Sequence, residues 1–172
     1  LRGQLQGRGH RFTTRSDTEV LVHGYEEWGI EGLLARIEGM FALAIVDQKE
    51  NQLHLARDRF GEKPLYLRSK PGELSFSSDL KTLVHALGLR TEIDPLSLRR
   101  YLALHYIPGN RSIIKGVERL LPGERAVADL ADLKLRKHRY YEGIPKNRKD
   151  FDPEHLRSLL EEAISSRLMG DV

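Results

Sequence analysis

The sequence predicts an α+β fold of antiparallel strands flanked by helices, and three patterns carry that expectation. Two pairs of strand-length runs, 41–46 with 52–57 and 64–68 with 74–77, are each joined by a turn too short for a crossover helix. Such pairs can only be antiparallel. Apolar residues recur at helical spacing before, between and after them. A length of 172 residues suffices for one sizeable core, so one compact domain with a connecting segment is expected.

Phe12 to Thr14 read as a short strand. Ser16-Asp17-Thr18-Glu19 then supplies a capping box, Ser at the N-cap and Glu three residues on, so a helix starts there. Val20, Leu21, Gly24, Tyr25 and Trp28 give that helix one buried face, Gly29 stops it, and a short helix follows over 30–36. Phe41 to Val46 is continuously apolar and reads as a strand buried on both faces. Lys49-Glu50-Asn51 turns the chain into a second strand over 52–57, and Lys70-Pro71-Gly72 joins the next pair. The four strands together read as one antiparallel sheet.

Asp79 to Leu87 reads as a helix, and Asp94-Pro95 opens another whose apolar face runs through Leu98, Tyr101, Leu102 and His105 until Pro108-Gly109-Asn110 breaks it. From Ser112 to Tyr141 short β-like pieces surround the turn Leu121-Pro122-Gly123. Lys146 to Asp150 reads as a linker. Asp152-Pro153-Glu154 then opens a helix with a stripe of Leu156, Leu159, Leu160, Ala163, Ile164 and Leu168.

Composition removes several classes of function. Lys and Arg exceed Asp and Glu by 28 to 25 and are interspersed with them, so no nucleic-acid partner is expected. No apolar run approaches the ~20 residues of a membrane span, and Leu1 to His10 is too polar for a secretory signal, so no membrane partner and a cytoplasmic location are expected. Cysteine is absent, which excludes disulfides, thiolate metal sites and a cysteine nucleophile from these residues. The histidines at 10, 23, 54, 85, 105, 138 and 155 show no metal-ligand pair on a helix face, so no metal is expected. Gly7-Arg8-Gly9 has Phe12 where a dinucleotide fingerprint needs its third glycine, and no phosphate-binding loop appears.

Three segments, taken in order, match the motifs of known enzymes. Ser16-Asp17-Thr18-Glu19-Val20 resembles the S-D-T/C-E-V segment of amidotransferases of the N-terminal nucleophile type. Gly39-Met40-Phe41-Ala42-Leu43-Ala44, followed by Arg57-Asp58-Arg59-Phe60-Gly61-Glu62-Lys63-Pro64-Leu65-Tyr66, resembles the G-M-F-A-F-A and R-D-x-x-G-x-K-P-L-Y pair of the glutamine-hydrolysing asparagine synthetases. Phe76 to Leu83 resembles F-A-S-E-x-K-A-L, and Tyr106 through Gly123 resembles a Y-x-P to L-P-x-G stretch.

The resemblance implies antiparallel sheets flanked by helices in the N-terminal nucleophile hydrolase manner, with the first helix of an α/β synthetase domain behind them. It implies that residues 1–145 are part of a glutaminase domain and 146–172 a linker and first synthetase helix, cut before the S-G-G-x-D-S pyrophosphate loop. Both ends read as cut. The family's nucleophilic cysteine and its N-G-E-I-Y-N stretch are not in these residues, so no catalytic residue is assigned and the chain alone is expected to be inactive. Asp17 is implied to pair with the α-ammonium of glutamine, although an acid in a helix's first turn also stabilises the helix by roughly 0.3–1 kcal/mol without any ligand. Met40 is implied to lie near the ammonia route, with core packing as the alternative. The Arg57-Asp58 pair and Gly61 read as a salt-bridged structural turn.

Glutamine is the implied partner of these residues, with aspartate and Mg-ATP bound by a synthetase domain outside them, no cofactor held by this stretch, and a homodimer as a candidate assembly. Two other readings stay open: an amidotransferase with a different acceptor, and a non-catalytic binding module derived from the glutaminase.

Overall fold

The computed structural model describes residues 1–88, 92–143, 152–165 and 168. In chain order they form α1 (Arg2–Gly7), α2 (Asp17–Arg36), β1 (Ala42–Asp47), β2 (Gln52–Arg57), β3 (Tyr66–Lys70), β4 (Glu73–Ser77), α3 (Leu80–Ala86), α4 (Pro95–Leu104), β5 (Glu118–Arg119), β6 (Glu124–Asp129), β7 (Leu135–Arg139) and α5 (Pro153–Ser165). The first residues are helical. Gly29, at φ 65° and ψ −179°, breaks α2 into the two predicted helical pieces. Ser16, Asp79 and Asp94 cap α2, α3 and α4 by accepting from the N–H groups of Thr18, Thr82 and Ser97.

Both hairpins form, with Leu43 opposite Ala56 in one and Leu67 opposite Phe76 in the other. They do not share a sheet, contrary to the single four-stranded sheet expected. One sheet has the order β1-β2-β6-β7 and the other β4-β3-β5. Each hairpin is extended by a strand from the 112–141 stretch, β6 onto β2 and β5 onto β3. The loop from Asp58 to Leu65 carries the chain from the first sheet to the second, and the turn at Leu121-Pro122-Gly123 carries it back.

Strand alternation then builds a layered core. Leu53 and Leu55 of β2 and Ala126 of β6 pack on Leu67 of β3 with Leu65 and Leu120, filling the space between the sheets. On the opposite face of the first sheet, Leu43 and Ala56 meet Leu33, Leu34 and Ile37 from the end of α2. The layers are therefore helix, four-stranded sheet and three-stranded sheet. β1 departs from expectation. It is an edge strand, and its Ala44 and Val46 are exposed, while Ala42 on the same face packs against the core between the sheets.

The same interface buries a polar contact. The Tyr25 hydroxyl donates to Asp47 Oδ2 at 2.8 Å and lies 3.1 Å from His54 Nε2. Burial, then the hydrogen bond with Asp47, pushes the Tyr25 pKa up to about 12, and burial holds the His54 imidazole below its usual range. His54 Nδ1 has no hydrogen-bond partner. Tyr25→Phe would orphan the second ring nitrogen as well, so it is expected to cost about 1–2 kcal/mol, read as a lower urea midpoint at unchanged m-value.

One helix differs from its predicted packing. The apolar residues of α4, Leu98, Tyr101 and Leu102, are exposed, and only Ser97 of that helix is buried. The helix ends at His105, in left-handed conformation at φ 60°, before Pro108 is reached. α5 forms with Asp152 accepting from the N–H groups of Glu154 and His155, and none of its residues is buried. The linker read over 146–150 lies outside the described residues.

Candidate functional site

The chain before α2 is not the short strand expected over 12–14. Strand pairing would need partners for the N–H groups of Thr13 and Thr14, and the Glu19 carboxylate takes both instead, at 2.7 and 2.8 Å. It also accepts from the two threonine hydroxyls, at 3.0 and 2.5 Å. The capping box is therefore half formed: Ser16 caps, while Glu19 reaches past the N-cap to the preceding segment. Arg2 fastens the same segment to α1 by donating to the carbonyls of Thr14 and Ser16 at 2.7 and 3.0 Å, with its guanidinium over the Phe12 ring.

These bonds, the Thr13 N–H first and the Thr14 hydroxyl next, lower the Glu19 pKa to about 2. The unfolded chain then binds a proton that the folded chain refuses over roughly pH 4.5 to 2, so Glu19's contribution is whole above that window and vanishes as pH falls through it. The gap in urea midpoint between the native chain and Glu19→Ala is expected to be constant above about pH 5 and to close toward about pH 2.

Asp17 stands on this fixed corner as the first residue of α2. Its side chain is exposed and makes one long contact, 3.5 Å, with the Ser16 hydroxyl. Among the described residues it has no basic partner. Met40 precedes β1 just after Gly39, whose φ is 119°, and is 48% exposed, so it is not the core residue of the alternative reading. An apolar cavity of about 400 Å³ lies elsewhere, among Tyr66, Leu80, Ile93, Leu98, Tyr101 and Ile107, and neither Asp17 nor Met40 lines it.

The second motif region is a clasp between the two crossovers that join the sheets. Arg57 and Asp58 do not pair with each other as a salt-bridged turn would have them. Asp58, 1% exposed, accepts from the N–H groups of Phe60, Glu62 and Lys63 at 3.1, 3.0 and 3.0 Å. Arg57 donates to the carbonyls of Lys63, Gly61 and Leu120 at 2.7, 2.5 and 2.8 Å, the last belonging to the other crossover. The Gly123 N–H returns to the Asp58 carbonyl at 2.9 Å. Gly61 has φ 71°, and a Cβ there would sit 2.7 Å from Pro122 Cγ, so glycine is required on both counts. Burial alone would raise the Asp58 pKa. The N–H groups of Lys63, Glu62, Phe60 and Gly61 outweigh it and hold the carboxyl below its usual range.

One cluster has no counterpart in the sequence patterns. His10 Nδ1 lies 3.2 Å from His23 Nδ1, which lies 3.1 Å from Glu26 Oε2. The thirteen-residue separation of the histidines crosses a loop, so no helix-face spacing announces it.

The model of the glutamine amidotransferase domain family matches residues 1–141. Asparagine synthetase [glutamine-hydrolyzing] 3 of Bacillus subtilis strain 168 is 32% identical over 176 residues, covering 100% of this chain and 28% of that protein. A putative asparagine synthetase [glutamine-hydrolyzing] 2 of Methanocaldococcus jannaschii is 32% identical over 165 residues, covering 92% of the chain and 32% of that protein. The chain thus spans about a third or less of the length of these relatives. Among solved structures, the glutamine phosphoribosylpyrophosphate amidotransferase of B. subtilis, complexed with ADP and GMP, superposes with a TM-score of 0.58 at 20% identity, over 83% of this chain and 26% of that one. At that identity the likeness is one of fold. The two antiparallel sheets with flanking helices are accordingly of the N-terminal nucleophile hydrolase type, and the chain belongs to the glutamine amidotransferase domain family.

Proposed function

We propose that this chain is the glutaminase part of a glutamine-hydrolysing asparagine synthetase, with residues 1–145 in the glutaminase domain and 146–172 leading into the synthetase domain. One observation carries the proposal: the similarity to a glutamine-hydrolysing asparagine synthetase extends over the whole chain, beyond the amidotransferase match that ends at residue 141. A glutaminase shared among unrelated acceptors would account for the first stretch alone.

In this reading Asp17 holds the α-ammonium of glutamine. The corner made by Arg2, Ser16 and Glu19 fixes the backbone under it, and its carboxylate, free of basic neighbours among the described residues, is available to a cation. Met40, half exposed between α2 and β1, would border the path of the released ammonia. The attacking thiol must come from sequence other than these 172 residues, which hold no cysteine. No S-G-G-x-D-S loop is present either, so ATP, Mg²⁺ and aspartate are assigned to the synthetase domain and no step through them to this chain.

The test is asparagine formation by the full-length protein from aspartate, ATP and Mg²⁺, with glutamine or ammonium as nitrogen source. Asparagine from both sources is expected, while the 172 residues alone release no ammonia from glutamine. Amidation of another acceptor in place of aspartate, or no ATP-dependent amidation at all, overturns the proposal.

A further inference from the structure

We propose that His10, His23 and Glu26 form a binding site for a divalent transition cation of the Zn²⁺ class, which clips the segment before α2 onto that helix. The three ligand atoms, His10 Nδ1, His23 Nδ1 and Glu26 Oε2, are separated by 3.2, 3.1 and 3.8 Å. Tetrahedral Zn²⁺ with bonds of about 2.0–2.1 Å sets its ligand atoms about 3.3 Å apart, so the triangle matches one face of that tetrahedron. His23 and Glu26 are one turn apart on α2, and His10 comes from the connection behind α1.

The second ring nitrogen of His10 strengthens the assignment. His10 Nε2 lies 3.1 Å from Glu27 Oε2, whose other oxygen receives Arg8 at 2.6 Å. An anionic carboxylate there accepts from Nε2–H, which leaves Nδ1 of the neutral imidazole as a lone pair pointing into the cluster. His23 Nε2 lies 3.8 Å from Glu19 Oε1, beyond hydrogen-bond reach, so the carboxylate that fixes a tautomer here is that of Glu27 behind His10. Carboxylates behind ligating histidines are the usual means of fixing tautomer and ring orientation.

Without a cation, the three atoms share a single N–H, that of His23 Nδ1, on which two acceptors, His10 Nδ1 and Glu26 Oε2, converge and which can serve only one of them well. A metal ion satisfies all three together. The imidazole side chains are 17% and 19% exposed and that of Glu26 57%, so the fourth position opens to water. Two imidazoles and one carboxylate favour Zn²⁺ over Mg²⁺ or Ca²⁺, which prefer all-oxygen sets.

The site is tested by titrating the EDTA-dialysed full chain with Zn²⁺ by calorimetry and with Co²⁺ by visible absorption. One equivalent should bind, with the intense d–d bands of tetrahedral Co²⁺ and a raised Tm. His23→Ala and Glu26→Gln should each weaken binding at least tenfold, and Glu27→Ala about 10–100-fold. Glu26→Gln retains an acceptor for His23 and guards against mistaking unfolding for ligand loss, and His155→Ala, on exposed α5, should bind as the native chain does. Affinity and spectrum unchanged by Glu26→Gln and His23→Ala, or no saturation below about 1 mM Zn²⁺, overturns the site in favour of a hydrogen-bonded histidine pair.

Discussion

Asp17→Asn in the full-length protein is expected to lower glutamine-dependent asparagine synthesis at least thirtyfold, while synthesis from added ammonium stays near the native rate. The physical basis is the loss of a charge–charge hydrogen bond to a desolvated ammonium group, which costs about 2–5 kcal/mol when one partner is truncated. Ammonium supplied directly bypasses the glutamine pocket, so the second rate is an internal control for folding and for the synthetase site. The structure makes the substitution a clean one. Among the described residues the Asp17 side chain has a single polar contact, the 3.5 Å approach of the Ser16 hydroxyl, and the cap itself is formed by Ser16. As a helix-terminus acid alone, Asp17 would be worth well under about 1 kcal/mol and would not distinguish the two nitrogen sources. Steady-state rates with both sources on one preparation decide, and equal glutamine rates before and after substitution return Asp17 to a structural part.

Asp58→Ala is expected to destabilise the fold by about 3 kcal/mol, enough to move the thermal midpoint by roughly 8 °C or more. One buried carboxylate serves the N–H groups of Phe60, Glu62 and Lys63, and removing it leaves three donors competing for whatever water can enter. The damage should spread, because the same loop holds the other crossover through Arg57 and through the Asp58 carbonyl. Asp58→Asn keeps the shape but turns an amide NH₂ toward one of the N–H groups, and should cost about 1–2 kcal/mol. Chemical denaturation of the three proteins gives the ranking Asp, Asn, Ala. Alanine as stable as asparagine would mean that the loop finds other partners and that the clasp is not built on the carboxylate.

The features legible in the sequence were those written in neighbouring residues. Helix starts follow from a side-chain acceptor within three positions, as at Ser16, Asp79 and Asp94, and hairpins follow from a turn between alternating runs. Assigning strands to sheets is different, because it is decided by crossovers whose bonds join residues sixty positions apart, such as Arg57 to Leu120. Arg57, Asp58 and Gly61 were visible as a motif, yet the expected partnership was wrong: an adjacent Arg and Asp suggest each other, whereas backbone groups had the stronger claim on both. Thr13 and Thr14 have strand propensity, which four bonds to Glu19 overrule.

The candidate site divides in the same way. That Asp17 opens a helix follows from Ser16 and Glu19, but the role proposed for it toward glutamine rests on the family resemblance, since an exposed acid carries no ligand's name. The His10–His23 contact was illegible because the loop between them has no periodicity to project.

The exposed flank of β1 also bears on how the protein is handled. Among the described residues this strand pairs on one side only, and its run from Ala42 to Val46 is apolar without interruption, with no lysine, proline or bulge to discourage a newcomer. Backbone groups in that position are a template for another strand, from a partner segment or from a second molecule. Concentrated solutions of the 172-residue chain would therefore associate edge to edge through β1, and a charge at the exposed Val46 is the substitution that would keep them apart without touching the core.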